Sequence, residues 1–320
     1  MDAAFRFVAI SIIAVLCLAA QPFEQPAQAE DVNVAISSVG LYELPLEIAK
    51  DKGFYQDEGL NVRIIVVRTG LQPTALAAGE LDFSSVGGAA IRAAAKGLPV
   101  KVVMGWWDRP LHILVGKPGI KDIKGLKNKE VAISSIGSTP YIMVREALSA
   151  EGMNPDNVLF MSIGGSSARL AALEAGTVDA TPLDVAFLEK ADKLGLRNIV
   201  YFGDVVNLPL GGLAASDQKI KTHPEQITRM VRATLKGLTF MKTNRADTVA
   251  ILEHHLHISD AYAAKVYDFA MRSLNDQGDI GNKSLANELR VDRETLGLAH
   301  PISEQDVIDW RFVRAAAARN

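Results

Sequence analysis

Short apolar runs alternate with Ser-, Thr- and Gly-rich loops and with longer amphipathic stretches along the first two thirds of the chain. Apolar runs such as residues 32–36, 62–67 and 100–104 are typical of buried strands. The longer stretches, such as 43–52 and 88–96, have the length and spacing of helices. Strands that alternate with helices predict right-handed crossovers and mainly parallel sheets covered on both faces.

This pattern occurs twice, with a constant shift of 97 residues along the chain. Residues 34–40 read VAISSVG and residues 131–137 read VAISSIG. Residues 75–82 read ALAAGELD and residues 172–179 read ALEAGTVD. Each copy is roughly 75 residues long, which suits one small lobe better than a solenoid unit. The sequence therefore predicts an α/β fold with two similar lobes.

The last third of the chain changes character and is mainly helical. Two connections, near residues 111–115 and 208–214, join the copies to each other and to this tail, which predicts a hinge between the lobes. We divide the chain into a first lobe that begins with 30–113, a second lobe at 114–210, and a final segment, 211–320, that completes the first lobe and packs its helices on it. The predicted helices of the tail are 223–244, 247–256, 260–274 and 303–318.

Residues 1–29 have the pattern of an export signal. Arg6 precedes an apolar run at 7–20, which is shorter than the roughly 20 residues that a membrane-spanning helix needs. Ala27 and Ala29 form a small-x-small site, so we expect cleavage before Glu30 and a periplasmic location. Cys17 is the single cysteine and would leave with this segment, so the mature chain would have no disulfide and no thiol nucleophile.

Composition and motifs exclude several function classes. The formal charge of -3 and the aromatic content of 6% do not indicate a nucleic-acid-binding surface. The sequence has no GxSxG elbow, no HExxH motif and no phosphate-binding loop. His254, His255 and His257 lie close along one predicted helix, but no fourth metal ligand is identifiable. We therefore expect no enzymatic activity, no cofactor and no bound metal.

Several segments resemble one family in their order and spacing. Residues 53–60 read GFYQDEGL, the pair ALAAGELDF and ALEAGTVDA recurs in both copies, and residues 278–280 read GDI. These segments resemble periplasmic substrate-binding proteins of nitrate, sulfonate and taurine ABC importers, and the resemblance covers essentially the whole mature chain. It implies a two-lobed type II periplasmic-binding-protein fold, each lobe a mainly parallel sheet flanked by helices.

The same resemblance implies a function and partners. It implies a monomer that closes on a small anionic solute, such as a sulfonate or carboxylate, and delivers it to an ABC importer permease in the inner membrane. A periplasmic sensor subunit of the same fold is an alternative, and permease and ATPase genes beside this one would favour transport. A same-fold enzyme and a binder of a pyrimidine or amine are further alternatives.

Hydroxyl groups and glycines follow the predicted strands of both copies. Ligands of open parallel sheets bind beyond the carboxyl ends of the strands, where helices begin and free N–H groups are available. These loops therefore carry most of the candidate ligand-binding residues, although Ser and Thr also cap helices at such positions. The loop candidates are Ser37, Ser38, Thr69, Ser84, Ser85, Gly137, Ser138, Thr139, Ser166 and Thr181.

Four aromatic or charged residues complete the candidate site. Tyr42 and Trp106 could supply a face for the body of the ligand, with Trp107 assigned to the core. Arg109 could pair with a carboxylate or sulfonate, although a surface ion pair is an equal alternative. Asp184 could cap a helix, but if it faces the cleft unpaired it favours a cationic or amine-bearing ligand.

Overall fold

A computed structural model describes residues 29–37 and 40–318. Among these residues, ten strands form two five-stranded sheets. The predicted export signal and Ser38 lie outside the described residues, apart from position 29. None of the described helices combines the length and the apolar character needed to cross a bilayer.

The first sheet has the order β2-β1-β3-β10-β4. Strand β1 is parallel to β2 and β3, with Val34 opposite Ile64, whereas β10 runs antiparallel to β3 and β4. Both faces of β1 are covered, since Val34, Ala35 and Ile36 are fully buried. The strands are β1 (Glu30–Ile36), β2 (Leu60–Val66), β3 (Phe83–Ser84), β4 (Val100–Trp107) and β10 (Leu210–Ser216).

The second sheet has the order β7-β6-β8-β5-β9. Here β6 is parallel to β7 and β8, and β5 runs antiparallel to β8 and β9. The strands are β5 (His112–Gly116), β6 (Glu130–Ile133), β7 (Leu159–Ser162), β8 (Ala180–Asp184) and β9 (Arg197–Tyr201).

The two sheets exchange one strand each. A shift of 97 residues carries β1 to β4 onto β6 to β9, and the same shift carries Ile113 in β5 onto Leu210 in β10. However, β5 lies in the second sheet and β10 in the first, so each copy donates its last strand to the other sheet. The segments that we predicted as hinge connections therefore include sheet strands, and the chain passes between the lobes just before them.

Helices cover both sheets, and those at Leu44–Asp51 and Gly87–Ala95 confirm the predicted helical stretches 43–52 and 88–96. In the first lobe, Gly53 adopts a left-handed conformation after the first helix, as a helix C-terminal glycine does. The first-lobe helices are α1 (Leu44–Asp51), α2 (Phe54–Asp57), α3 (Gln72–Ala77) and α4 (Gly87–Ala95). The second-lobe helices are α5 (Thr139–Ala150), α6 (Ser166–Glu174), α7 (Leu188–Lys193) and α8 (Phe202–Val205).

The tail forms further helices that contact both lobes. Helix α10 packs on α1 of the first lobe and on α15, as expected, whereas α12 contacts α8 of the second lobe. The predicted helix at 303–318 is two short helices. Helix α13 was not predicted, although Leu285, Leu289 and the left-handed Gly297 give a helical signal. The tail helices are α9 (Asp217–Thr222), α10 (Pro224–Thr243), α11 (Arg245–Leu256), α12 (Asp260–Ser273), α13 (Asn282–Leu296), α14 (Glu304–Val307) and α15 (Arg311–Ala317).

Helix α13 connects the two lobes through polar contacts. On one side, its Glu288 and Asp292 pair with Arg92 of α4 in the first lobe. On the other side, Arg290 lies 2.7 Å from a carboxylate oxygen of Glu146 in α5 of the second lobe. A single tail helix therefore contacts the facing parts of both lobes.

Candidate functional site

A cavity of about 200 Å³ lies beyond the carboxyl ends of the first-sheet strands. Most of its wall belongs to the first lobe, but His112, at the start of β5, and Thr139, at the start of α5, belong to the second lobe. The cavity is thus shared by the lobes at the place that the parallel-sheet rule predicts. Its lining residues are Ser37, Tyr42, Glu43, Thr69, Ser85, Val86, Gly87, Gly88, Ala89, Arg92, His112, Thr139, Leu210 and Gly211.

Three predicted hydroxyl residues of the first lobe line this cavity together: Ser37, Thr69 and Ser85. Ser37 Oγ and Thr69 Oγ1 lie 2.8 Å apart, although the two residues are 32 positions apart in sequence. Thr69 does not cap α3, because Leu71 occupies that cap position without a side-chain bond. The Thr69 hydroxyl instead bonds across to the loop after β1.

Tyr42 also lines the cavity and is held there by the two adjacent tryptophans. The indole N–H groups of Trp106 and Trp107 both donate to the Tyr42 carbonyl oxygen, at 2.9 and 3.0 Å. Both tryptophans are fully buried, so Trp106 lies behind the cavity wall rather than on it. Tyr42 Oη lies 2.5 Å from His112 Nδ1 of the second lobe.

Glu43 is a cavity residue that sequence reasoning missed. Its side chain is only 4% exposed, and its Oε1 accepts a hydrogen bond from Ser85 Oγ at 3.0 Å. Its Oε2 has no hydrogen-bond partner among the described residues. Burial, with smaller contributions from Glu47 and Asp184, raises the pKa of Glu43 to about 8. The sequence held one sign of this burial, an acidic residue among the apolar residues Leu41, Leu44 and Leu46.

Arg92 is the second cavity residue that we did not predict. Its guanidinium lies 3.0 Å from Asp292 and 3.1 Å from Glu288, and both acids are almost fully buried. Burial, together with the neighbouring Asp292, raises the pKa of Glu288 to about 8. The positive charge of Arg92 is therefore balanced by the carboxyls of its own cluster.

Ser166 and Thr181 contact a buried arginine rather than the cavity. Arg169 is 2% exposed, and its guanidinium donates to Thr181 Oγ1, Ser166 Oγ and the carbonyl oxygens of Gly164 and Pro182. This side chain therefore fixes the loop after β7 to strand β8. A buried arginine in this role was not evident from the sequence.

The remaining second-lobe candidates lie around the start of α5 and the end of β8. Gly137 has a φ of +78° just before α5, and Ser138 Oγ donates to the Ser135 carbonyl oxygen at 2.6 Å. Asp184 lies opposite His112 in the sheet register and accepts a bond from the Ala186 N–H at 2.8 Å, which caps a short 3₁₀ turn. Burial raises the pKa of Asp184 to about 6.

Two other candidates do not line the cavity. Ser84 is fully buried, and its hydroxyl donates to Gln72 Oε1 at 2.8 Å. Arg109 donates to the Gly203 carbonyl oxygen at 3.2 Å, next to the passage between the lobes. Both residues thus have structural partners at the margins of the site.

None of the histidines of the run 254–257 lines this cavity. His255 Nδ1 is 2.8 Å from Glu47 Oε2 on α1, and the His254 and His255 rings have centroids 5.7 Å apart. Within ranges 29–37 and 40–318, no three or more His, Cys, Asp or Glu side chains are placed to hold a metal ion.

Comparisons with known proteins agree with this architecture. A Bacillus subtilis (strain 168) protein, named for binding aliphatic sulfonates, is 27% identical over 96% of this chain and 96% of its own length. Riboflavin-binding protein RibY of Chloroflexus aurantiacus is 27% identical over 72% of this chain and 65% of its own length. The crystal structure of the periplasmic aliphatic sulphonate binding protein SsuA from Escherichia coli superposes with a TM-score of 0.71 at 17% identity, covering 89% of this chain and 92% of SsuA.

Enzymes are also among the relatives of this chain. A 4-amino-5-hydroxymethyl-2-methylpyrimidine phosphate synthase of Saccharomyces cerevisiae is 22% identical over 62% of this chain and 63% of its own length. The sequence signature of the family described as "NMT1/THI5 like" matches residues 42–247, which include the whole second lobe and most of the cavity wall. This chain belongs to the NMT1/THI5-like family, and its fold is that of the periplasmic binding proteins.

Proposed function

We propose that the protein is the solute-binding component of an ABC importer. It works as a periplasmic monomer after removal of residues 1–29. It delivers its solute to a permease in the inner membrane. The observation that carries the proposal is the cavity itself, since Ser37 and Thr139 face it from opposite lobes. A ligand that bridges both walls favours the closed arrangement of two hinged lobes.

The size and lining of the cavity support a binding role for a small solute. Its volume of about 200 Å³ is below the roughly 300–1,000 Å³ of pockets for drug-sized ligands. Polar groups on an otherwise apolar wall are the arrangement that fixes the orientation of a bound small molecule. The relatives named as binding proteins support the same class of function.

A calorimetric titration of single substitutions tests the two-walled site. We expect Ser37→Ala and Thr139→Ala each to weaken ligand binding about two- to tenfold, because each removes one hydrogen-bonding group worth about 0.5–1.5 kcal/mol. Ser149→Ala, at the exposed end of the same helix as Thr139, is the matched control and should bind normally. If only one lobe contributes to affinity, the proposal of closure around the ligand fails.

Transport and catalysis can be distinguished by whether the bound ligand is chemically changed. Incubation of the protein with its ligand, followed by mass spectrometry, should return the ligand unchanged, and small-angle scattering should show a smaller radius of gyration for the complex. A chemically altered product would assign the protein to the enzymes of its family instead.

A further inference from the structure

The His112 ring is bonded through one nitrogen, and its other nitrogen is accessible. His112 lines the cavity from the second lobe and is partly exposed. Its Nδ1 lies 2.5 Å from Oη of Tyr42 in the first lobe, whereas Asp184, its neighbour in the sheet register, accepts the Ala186 N–H. Its Nε2 has no hydrogen-bond partner among the described residues, yet it is not one of the polar atoms that are buried without a partner. This nitrogen is therefore free to bond a molecule in the cavity.

The short contact with Tyr42 fixes which nitrogen of His112 carries the proton. Bonds donated by N–H to oxygen are about 2.7–3.2 Å long, whereas bonds donated by a hydroxyl extend down to about 2.5 Å. At 2.5 Å the phenol is therefore the donor and Nδ1 the acceptor. Burial raises the pKa of Tyr42 well above its ordinary value, so the phenol keeps its proton. Burial lowers the pKa of His112 to about 3, so at neutral pH the ring carries one N–H group, at Nε2.

A buried positive charge without a counter-ion acts on the same ring. Arg169 is 2% exposed, and its guanidinium donates to the neutral oxygens of two hydroxyls and two carbonyl groups. Burial lowers its pKa, with no opposing effect from a described carboxylate, and its charge helps to lower the pKa of His112. Burial raises the pKa of Glu43 on the facing wall to about 8, so that carboxyl is mostly neutral at pH 7. The potential at His112 thus favours an electron-rich acceptor over an N–H group.

On these grounds, and resting on the proposed solute-binding function, we infer that His112 is a specificity-determining residue whose Nε2–H donates to an oxygen acceptor of the ligand. Tyr42 is the residue that positions it, because the phenol occupies Nδ1 and thereby leaves the proton on Nε2. The ligand then presents a carboxylate, sulfonate or amide oxygen to the second-lobe wall. A ligand that presents N–H groups alone would meet a donor with no lone pair to offer it.

Nitrogen-15 NMR of histidine-labelled, ligand-free protein tests the tautomer. The His112 signals are assigned as those that disappear in His112→Gln. We expect them to show a proton on Nε2 and none on Nδ1 at pH 7. Tyr42→Phe keeps the aromatic ring but removes the hydroxyl, so this variant should show a mixture of the two tautomers. A proton on Nδ1 of His112 in the parent protein would overturn the inference, whatever the protein binds.

A calorimetric comparison of probes with the same shape tests the acceptor. Benzoate has two oxygens in its planar head, benzamide has one oxygen and one amino group, and benzamidine at pH 7 has N–H groups alone. We expect benzoate and benzamide to bind and benzamidine not to bind. His112→Leu should weaken benzoate binding about tenfold, because it removes the donor, whereas His112→Gln keeps an N–H donor and should lose less affinity. His300→Leu changes an exposed histidine of the tail and should bind benzoate normally.

The outcomes distinguish this inference from the proposed function. Binding of benzamidine but not benzoate would overturn the inference and leave solute binding intact. Benzoate that binds a folded His112→Leu variant as tightly as the parent protein would also overturn it. If that variant does not fold by circular dichroism, the tautomer and the three probes still decide the question on the parent protein. If none of the probes binds to the folded parent protein, the proposed solute-binding function loses its support together with the inference.

Discussion

Glu43 links the stability of the empty protein to pH. Burial raises its pKa from 4.5 to about 8, so between these values the folded protein holds a proton that the unfolded chain has released. Its contribution to stability is complete below pH 4.5, falls as the pH rises, and is lost above about 8. Glu288 acts in the same direction on the same range.

We expect the melting temperature of the ligand-free protein to be lower at pH 8.5 than at pH 6.5. The part due to Glu43 is about 2 kcal/mol, since each unit of pH within the window changes the free energy of unfolding by about 1.4 kcal/mol. Glu43→Gln does not titrate and should show a shallower decline. Differential scanning fluorimetry measures this, and equal slopes for both proteins would contradict the assigned pKa.

Gly211 packs against the two tryptophans that lie behind the cavity wall. It has a φ of +73°, and an added Cβ would lie 2.4 Å from Trp106 Nε1 and 2.8 Å from Trp107 Cδ1. These are the tryptophans that hold the Tyr42 carbonyl oxygen. The site therefore requires a residue without a side chain here.

We expect Gly211→Ala to lower the free energy of unfolding by about 2–4 kcal/mol, from backbone strain plus overpacking. Gly79→Ala is the matched control, because Gly79 has a φ of +78° but nothing within 4 Å of its added Cβ. That variant should lose only about 1 kcal/mol. Chemical denaturation measures both, and similar losses would mean that the tryptophan contact is unimportant.

Among the elements, an ion cluster joins α4 to α13 beside the cavity. Arg92 extends from α4 to Glu288 and Asp292, which are 196 and 200 positions away in sequence. Removing one partner of a buried cluster leaves the others without compensation. This link joins the cavity wall to the helix that also contacts the second lobe.

We expect Arg92→Met to destabilise the protein by about 3–5 kcal/mol. Arg290→Met is the matched control on α13, because Arg290 is 42% exposed and its pair with Glu146 is a surface ion pair worth about 0–1 kcal/mol. Urea denaturation of both variants gives the comparison. A loss for Arg92→Met no larger than that for Arg290→Met would show that the cluster adds little stability.

At the scale of the whole molecule, strand exchange makes each lobe depend on the other half of the chain. Removal of β10 would expose the edges of β3 and β4, and removal of β5 would separate β8 from β9. An open edge of this kind leaves unpaired N–H and C=O groups. Neither lobe can therefore complete its sheet with strands from its own copy of the repeat alone.

We expect a single cooperative unfolding transition in urea, despite the two-lobed shape. Trp106, Trp107 and Trp310 lie in the first lobe or in the helices packed on it, so their fluorescence reports that lobe, whereas far-UV circular dichroism reports both lobes. The two curves should coincide. Separate midpoints would show that the second lobe unfolds alone.

The local elements and their duplication could be predicted from the residue pattern alone. The 97-residue repeat predicted two similar α/β lobes. Strand periods and terminal glycines predicted most helix and strand positions, because these signals depend on neighbours a few residues apart. The hydroxyls of Ser37, Thr69 and Ser85 were predicted for a different reason, because loops that follow parallel strands meet at one edge of the sheet.

Which distant groups meet could be read only from the folded chain. The exchange of β5 and β10, the pairing of Arg92 with α13, and the burial of Trp106 and of the Glu43 carboxyl all depend on contacts between distant parts of the chain. A single sequence specifies which residues are apolar or charged, but not which charge compensates which. The net charge of the cavity wall depends on which of these distant groups pair with one another, so it can be read only from the folded chain.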